Sequence, residues 1–278
     1  MKIAMMSYTM ARGQWGKDHD IAELCRFTTE LGLDGIDWVT TYGVDPSEVR
    51  RITDDFGLAN VCYTFPAKLQ SADVAERRQA VEHVKDQLET ALILGADKIM
   101  IVLPGLPDVP RERTREYAIT GLSQAVPLCE ANGVTPTIEH FPGATSPFAV
   151  SADMNEAVAA VPGLKITYDN GNVLMGGEAP ADGYINSREH IVHAHFKDWD
   201  LAEDGRLGID GRTYEAVLIG EGLVDPRPCL QAMAQGGYNG YIDFEYEGNL
   251  YEPAEAMRRG LPPLLDMLDE VSAGASRG

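Results

Sequence analysis

Residues 74–103, VAERRQAVEHVKDQLETALILGADKIMIVL, decide the fold. Val74, Val81, Val84, Leu88 and Leu92 keep helical spacing, Gly95 ends the run, and Lys98-Ile99-Met100-Ile101-Val102-Leu103 follows as an apolar stretch of strand length. The same device recurs on both sides. Ile21, Leu24, Cys25 and Leu31 precede Gly32 and a strand at 35–39. Gly133 precedes 134–139, Gly163 precedes 164–169, and Gly237 precedes 241–245. With apolar stretches at 3–8, 59–65 and 191–196, the expected strands number eight. Strands separated by helices pair in parallel through crossovers, and eight such units close into a barrel. The expectation is therefore an α/β chain forming a single (β/α)8 TIM barrel domain over residues 1–278, with its active site at the C-terminal ends of the strands. An open doubly wound sheet fits less well, because Thr9-Met10-Ala11-Arg12-Gly13-Gln14 after the first strand is no dinucleotide fingerprint.

Four strands end in a group that binds metals: Thr137-Ile138-Glu139, Ile166-Thr167-Tyr168-Asp169, Val192-His193-Ala194-His195 and Ile242-Asp243-Phe244-Glu245. Two glutamates, an aspartate and one histidine make an oxygen-rich set that suits a hard or borderline divalent cation. Two unit charges ~4 Å apart repel by ~4 kcal/mol at an effective dielectric near 20, so gathered carboxylates need a cation or protons.

The chain has 278 residues and a formal charge of −20, which disfavours a nucleic-acid backbone or an anionic membrane surface as partner. No stretch approaches the ~20 apolar residues of a membrane span, and Met1-Lys2 runs straight into Ile3-Ala4-Met5-Met6 without a secretory pattern. Cys25, Cys62, Cys129 and Cys229 lie far apart in apolar settings, as reduced core thiols do. A cytoplasmic protein is expected. Segment 200–222, with glycines at 205, 208, 211, 220 and 222, reads as a loop or small hairpin over the catalytic face, and 272–278 as a frayed end.

Thr137-Ile138-Glu139-His140, Tyr168-Asp169-Asn170-Gly171-Asn172, His193-Ala194-His195-Phe196-Lys197-Asp198, Gly220-Glu221-Gly222 and Glu245-Tyr246-Glu247-Gly248 together resemble the sugar phosphate isomerase/epimerase family. This is the xylose isomerase-like TIM barrel of the AP endonuclease 2 superfamily, and the similarity covers nearly the full length. The resemblance implies one divalent metal on Glu139, Asp169, His195 and Glu245. Manganese heads the candidate ions, with magnesium, cobalt and zinc behind it. It further implies Glu139 and Glu245 as base and acid on either side of a carbon whose proton the metal acidifies, giving an ene-diolate.

His140 is a candidate base or substrate contact, although alternation turns it away from Glu139. His193 is expected to support His195 from one layer deeper. Lys197 is a candidate for binding a substrate hydroxyl or an enolate. Tyr8, Trp38, Phe65 and Trp199 are candidate sugar platforms or packing groups. Glu178, Asp198 and Glu247 are candidate supports of the ligands, and Arg12 and Lys68 the chief cations near the mouth. Without a phosphate cradle, an unphosphorylated small carbohydrate is the expected substrate.

The leading expectation is an isomerase or epimerase of a free sugar or keto-sugar, in a homo-oligomer. The alternative is a metal-dependent lyase on oxidised sugars: a 3-oxo C-glycoside deglycosidase subunit with a small partner, or a keto-inositol-type dehydratase. An abasic-site endonuclease shares the barrel but demands more histidines. Tyr63-Thr64-Phe65, Leu103-Pro104-Gly105, Asn172 and Asp210-Gly211-Arg212 stand at the corresponding places.

Overall fold

The computed structural model describes residues 1–275. Eight parallel strands form its centre: β1 (Lys2–Met6), β2 (Gly35–Val39), β3 (Ala59–Pro66), β4 (Lys98–Val102), β5 (Thr135–Glu139), β6 (Lys165–Asp169), β7 (Ile191–Phe196) and, after a two-stranded insertion β8 (Asp198–Leu207) and β9 (Thr213–Val217), β10 (Tyr241–Phe244). Their order around the ring is β1-β10-β7-β6-β5-β4-β3-β2, and the closing pair runs from Lys2 opposite Tyr241 to Met5 opposite Phe244. Around them lie α1 (Ser7–Ala11), α2 (Ile21–Glu30), α3 (Pro46–Asp55), α4 (Val74–Leu94), α5 (Arg111–Ala131), α6 (Ser151–Ala160), α7 (Asn170–Met175), α8 (Pro180–Ser187), α9 (Pro226–Gln235) and α10 (Pro253–Ala275). The molecule is a (β/α)8 TIM barrel.

Helix α4 shows why the repeat folds as it does. The Asp73 carboxylate accepts the Ala75 and Glu76 N–H groups, and Gly95, at φ 73°, closes the other end in a left-handed turn. Its buried stripe is Ala80, Val84, Leu88, Ala91 and Leu94. Val74 and Leu92, expected in that stripe, are 54% and 45% exposed. Val84 and Leu88 lie in the stripe as expected, while Ala80 and Ala91 take places in it that bulk alone would not assign.

The first strand ends earlier than its sequence suggested. Ser7 Oγ accepts the Val39 N–H at 2.8 Å, and Thr9 Oγ1 accepts the Tyr246 N–H at 2.9 Å. These buried hydroxyls serve backbone donors of neighbouring segments, so the chain coils into α1 at Ser7 instead of staying extended through Tyr8. At the other terminus, the expected fraying from Ser272 is overtaken by α10, which continues to Ala275; 276–278 lie outside the described residues.

The insertion is an antiparallel hairpin, with Asp198 opposite Val217. Asp198 carboxylate oxygens accept N–H groups from Trp199, Gly220, Gly222 and Val224 at 2.8–3.0 Å, which ties the hairpin base to its return loop. A Cβ at Gly222 would lie 2.5 Å from Asp198 Oδ1, so only glycine admits this knot. Leu207 O accepts the Ala144 N–H at 2.8 Å and brings the hairpin over the end of β5. Among the described residues, no helix is long and apolar enough to cross a membrane.

Candidate metal centre

Four buried side chains meet where strands β5, β6, β7 and β10 end. Glu139, Asp169, His195 and Glu245 each offer a ligand atom, and these atoms lie within 4.8 Å of one another. Glu245 stands one residue past β10, where its N–H still donates to Phe196 O at 2.9 Å. Asp169 is doubly used: it ends β6, and its Oδ1 caps α7 by accepting the Gly171 and Asn172 N–H groups at 2.9 and 2.8 Å. That cap fixes the carboxylate and leaves Oδ2 for the cluster. A Cβ at Gly171 would meet Lys197 Cγ at 2.6 Å, so glycine lets the cap lie against the lysine stem.

The donors fit a divalent ion. Asp169 Oδ2 and Glu245 Oε2 are buried and accept no aligned hydrogen bond. Three buried carboxylates and one buried imidazole are the oxygen-rich set that hard and borderline cations take. In the metal-free cluster, burial pushes the Asp169 and Glu245 carboxyls up to about 7, and the ammonium of Lys197 works against that rise. Lys197 Nζ stands 3.1 Å from Asp169 Oδ2, 2.8 Å from Glu245 Oε2 and 2.9 Å from Glu247 Oε1. These carboxylates hold the lysine charged against the cost of its burial.

His195 faces two ways. Its Nδ1 lies 2.7 Å from Glu139 Oε1 and 3.6 Å from Glu245 Oε2, inside the cluster. Its Nε2 lies 3.4 Å from Asp37 Oδ2 and 3.5 Å from Asp243 Oδ2, one layer deeper. His193 Nε2 sits 3.0 Å from both of those oxygens. The two aspartates thus flank the Nε2 edge of His195, whose Nδ1 is turned to the cluster. Desolvation opposes charge on either ring, and the carboxylates outweigh it, so both histidines are raised. Asp37 and Asp243 were missed in the sequence, although Asp243 and His193 stand two residues before Glu245 and His195 on the same strand faces.

The remaining candidates separate. His140 does not line the pocket: its buried ring packs edge-on to Tyr168 at 5.7 Å, its carbonyl accepts the Asn172 amide at 2.8 Å, and burial lowers its pKa to about 3. Trp38, Phe65 and Trp199 are 0%, 1% and 3% exposed and pack in the protein. Of the four aromatics, Tyr8 lines the pocket. Glu178 accepts from the Ser151 N–H and hydroxyl at the start of α6, away from the cluster. Arg12 donates to Glu247 O and Asn249 Oδ1, and Lys68 stands 3.9 Å from Glu76. The cations that line the pocket are Lys197 and Arg206, the latter carried in by the hairpin and 3.8 Å from Glu247. Above the cluster lies a cavity of about 290 Å³, with Glu139, Glu245, Lys197, Asn172 and Tyr8 in its wall.

The model of the xylose isomerase-like TIM barrel family matches residues 25–266, and the chain belongs to this family. Among curated proteins it is similar to an inosose dehydratase of Lacticaseibacillus casei, 22% identical over 261 residues that span 87% of this chain and 86% of that protein. Among solved structures it is similar to L-ribulose 3-epimerase, with a TM-score of 0.80 and 16% identity over 99% of this chain and 97% of that one. The IOLI protein with a bound zinc atom superposes with a TM-score of 0.79 and 16% identity, over 98% of this chain and 99% of that one.

Proposed function

We propose that the protein is a divalent-metal-dependent isomerase or epimerase of a free sugar or keto-sugar, acting through an ene-diolate. The carrying observation is that Glu139 and Glu245 share one cluster and both line one small cavity, from strands three steps apart in the ring. A metal held by Glu139, Asp169, His195 and Glu245 would polarise a carbonyl and its neighbouring hydroxyl, which acidifies the proton between them. Glu245 and Glu139 would face the reacting carbon from opposite sides, one placed to take its proton and the other to return it. Removal of the proton by one carboxylate and return by the other inverts the carbon. Return to the neighbouring carbon instead interconverts aldose and ketose. The Lys197 ammonium favours the oxyanion that develops. The backbone carbonyl of His140 holds the Asn172 amide at the wall, and its imidazole remains the further candidate for a base.

Manganese is the proposed ion; the zinc in the IOLI structure belongs to that protein. A small carbohydrate is the proposed partner, together with a second copy of this chain. Four buried free cysteines support a reducing, cytoplasmic setting.

The curated relative's name favours one second reading, dehydration. The same carboxylate removes the same proton, and loss of a hydroxide from the next carbon as water then replaces return of the proton. Incubation of the manganese-, magnesium-, cobalt- and zinc-loaded protein with ketopentoses, ketohexoses and keto-inositols, followed by separation of the products, distinguishes the two. A new stereoisomer or aldose is expected. A product lighter by one water selects dehydration, and no product with any ion contradicts both.

A further inference from the structure

Lys197 stands between β7 and β8, and most of it is fixed. Its backbone N–H donates to Asn170 Oδ1 at 2.9 Å, and its stem lies so close to Gly171 that a Cβ there would meet Cγ at 2.6 Å. The far end is the part left to turn. Its ammonium lies 3.1 Å from Asp169 Oδ2 and 2.8 Å from Glu245 Oε2, two oxygens of the candidate ligand cluster, yet neither oxygen accepts an aligned hydrogen bond. The hydrogen bond goes instead to Glu247 Oε1, at 2.9 Å. Glu247 is outside the cluster and is itself held in place: Arg12 donates to its backbone carbonyl, and Arg206 stands 3.8 Å from its Oε2.

We propose that Glu247 is a positioning residue: it draws the Lys197 ammonium aside, so that Asp169 Oδ2 and Glu245 Oε2 stay open to the metal. The inference rests on the metal cluster of the proposed function and adds what keeps the chain's own cation from closing it. A dication on those two oxygens uses the negative charge that attracts the ammonium, and repels the ammonium besides. Glu247 binds no metal and keeps its full charge for the lysine. An ammonium has three donors, and one bond to Glu247 leaves two. Lys197 and Glu247 both line the cavity, so those two donors lie within reach of a substrate oxygen. Without Glu247 the same ammonium settles between Asp169 and Glu245 and competes with the metal for both.

The test is a double-variant cycle read by calorimetric titration with manganese. Glu247→Gln keeps the size of the side chain and removes its charge, and affinity is expected to fall by about tenfold although Glu247 is no ligand. Lys197→Met removes the competing cation and is expected to raise affinity by about tenfold. In the Lys197→Met background, Glu247→Gln is expected to lower affinity by no more than about twofold, the effect of its distant charge alone. Lys197→Gln repeats the cycle should circular dichroism show the methionine variant poorly folded. A loss from Glu247→Gln that is equal in the two backgrounds, or absent from both, overturns the positioning role and leaves the metal cluster standing. Failure of the unaltered protein to bind manganese, magnesium, cobalt or zinc removes the cluster reading and this inference with it.

Discussion

His195 is held from both sides, by Glu139 through Nδ1 and by Asp37 and Asp243 around Nε2, and the deeper pair has a measurable consequence. Asp37→Asn and Asp243→Asn leave every ligand in place but loosen the imidazole. Calorimetric metal titration should show affinity lowered by about 10–100-fold in each, with the circular dichroism spectrum unchanged. Glu245→Gln, by contrast, removes a ligand and a proton carrier together. Turnover should fall by at least about 100-fold, and wild-type rates would refute its role. The pH dependence follows from the same groups. Asp169 and Glu245, raised to about 7, bind protons more tightly in the folded metal-free chain than when unfolded, so their contribution to stability falls as pH rises toward 7. The raised His193 and His195 act in the same direction above their ordinary value of 6.5. His140 has the opposite sign, but its contribution is lost only as pH falls below 6.5 toward 3. The thermal midpoint of chelator-treated protein should therefore fall as pH rises toward 7 and go on falling above it as the two histidines lose their protons, while the metal-loaded protein resists that fall. The four candidate ligands stood out in the sequence because each is the metal-binding type of group on which an apolar strand ends. Asp37 and Asp243 lie within apolar runs, where a carboxylate becomes intelligible only once the histidine it faces is known.

Among the elements, the hairpin of β8 and β9 depends on a single carboxylate. Asp198→Ala leaves the Trp199, Gly220, Gly222 and Val224 N–H groups without their acceptor, at a cost of ~1–3 kcal/mol for each that stays dry. Hydrogen exchange should accelerate at those four amides while the barrel strands keep their protection. In α4, Leu88→Ala removes a buried anchor and should destabilise the fold by ~2–5 kcal/mol in denaturant unfolding. Gly95 and the helical period announced that helix and its buried Val84 and Leu88, but not that alanines at 80 and 91 share the contact and leucine at 92 does not. The hairpin was half legible. Five glycines marked an irregular insertion, but pairing Asp198 with Val217 requires knowing that Asp198 gathers the return loop. Ser7-Tyr8 read as strand because they continue the apolar run from Ile3, and only the two hydroxyl contacts reveal the turn into α1.

For the whole molecule, the repeat of helix, glycine and strand was enough to foresee a closed barrel, since seven crossovers between eight strands leave few other ways to pair them. Period two placed His193 one layer below His195, but no pattern conveyed the two aspartates that complete that layer. Ligands near the mouth rest on a second buried layer, and the pocket continues sideways into a larger groove. Because the cluster exists only in the folded chain, metal at 100 times its dissociation constant should add about 2.7 kcal/mol of stability, seen as a concentration-dependent rise in the thermal midpoint. Proton transfer at a sugar carbon is the central claim, and solvent exchange tests it most directly. In deuterium oxide, the metal-loaded protein should place carbon-bound deuterium beside the carbonyl of at least one ketose, with a new stereoisomer or aldose, and Glu139→Gln and Glu245→Gln should abolish it. No exchange into any ketose, keto-inositol or 3-oxo-glucoside, from a protein shown to hold its metal, would contradict the account.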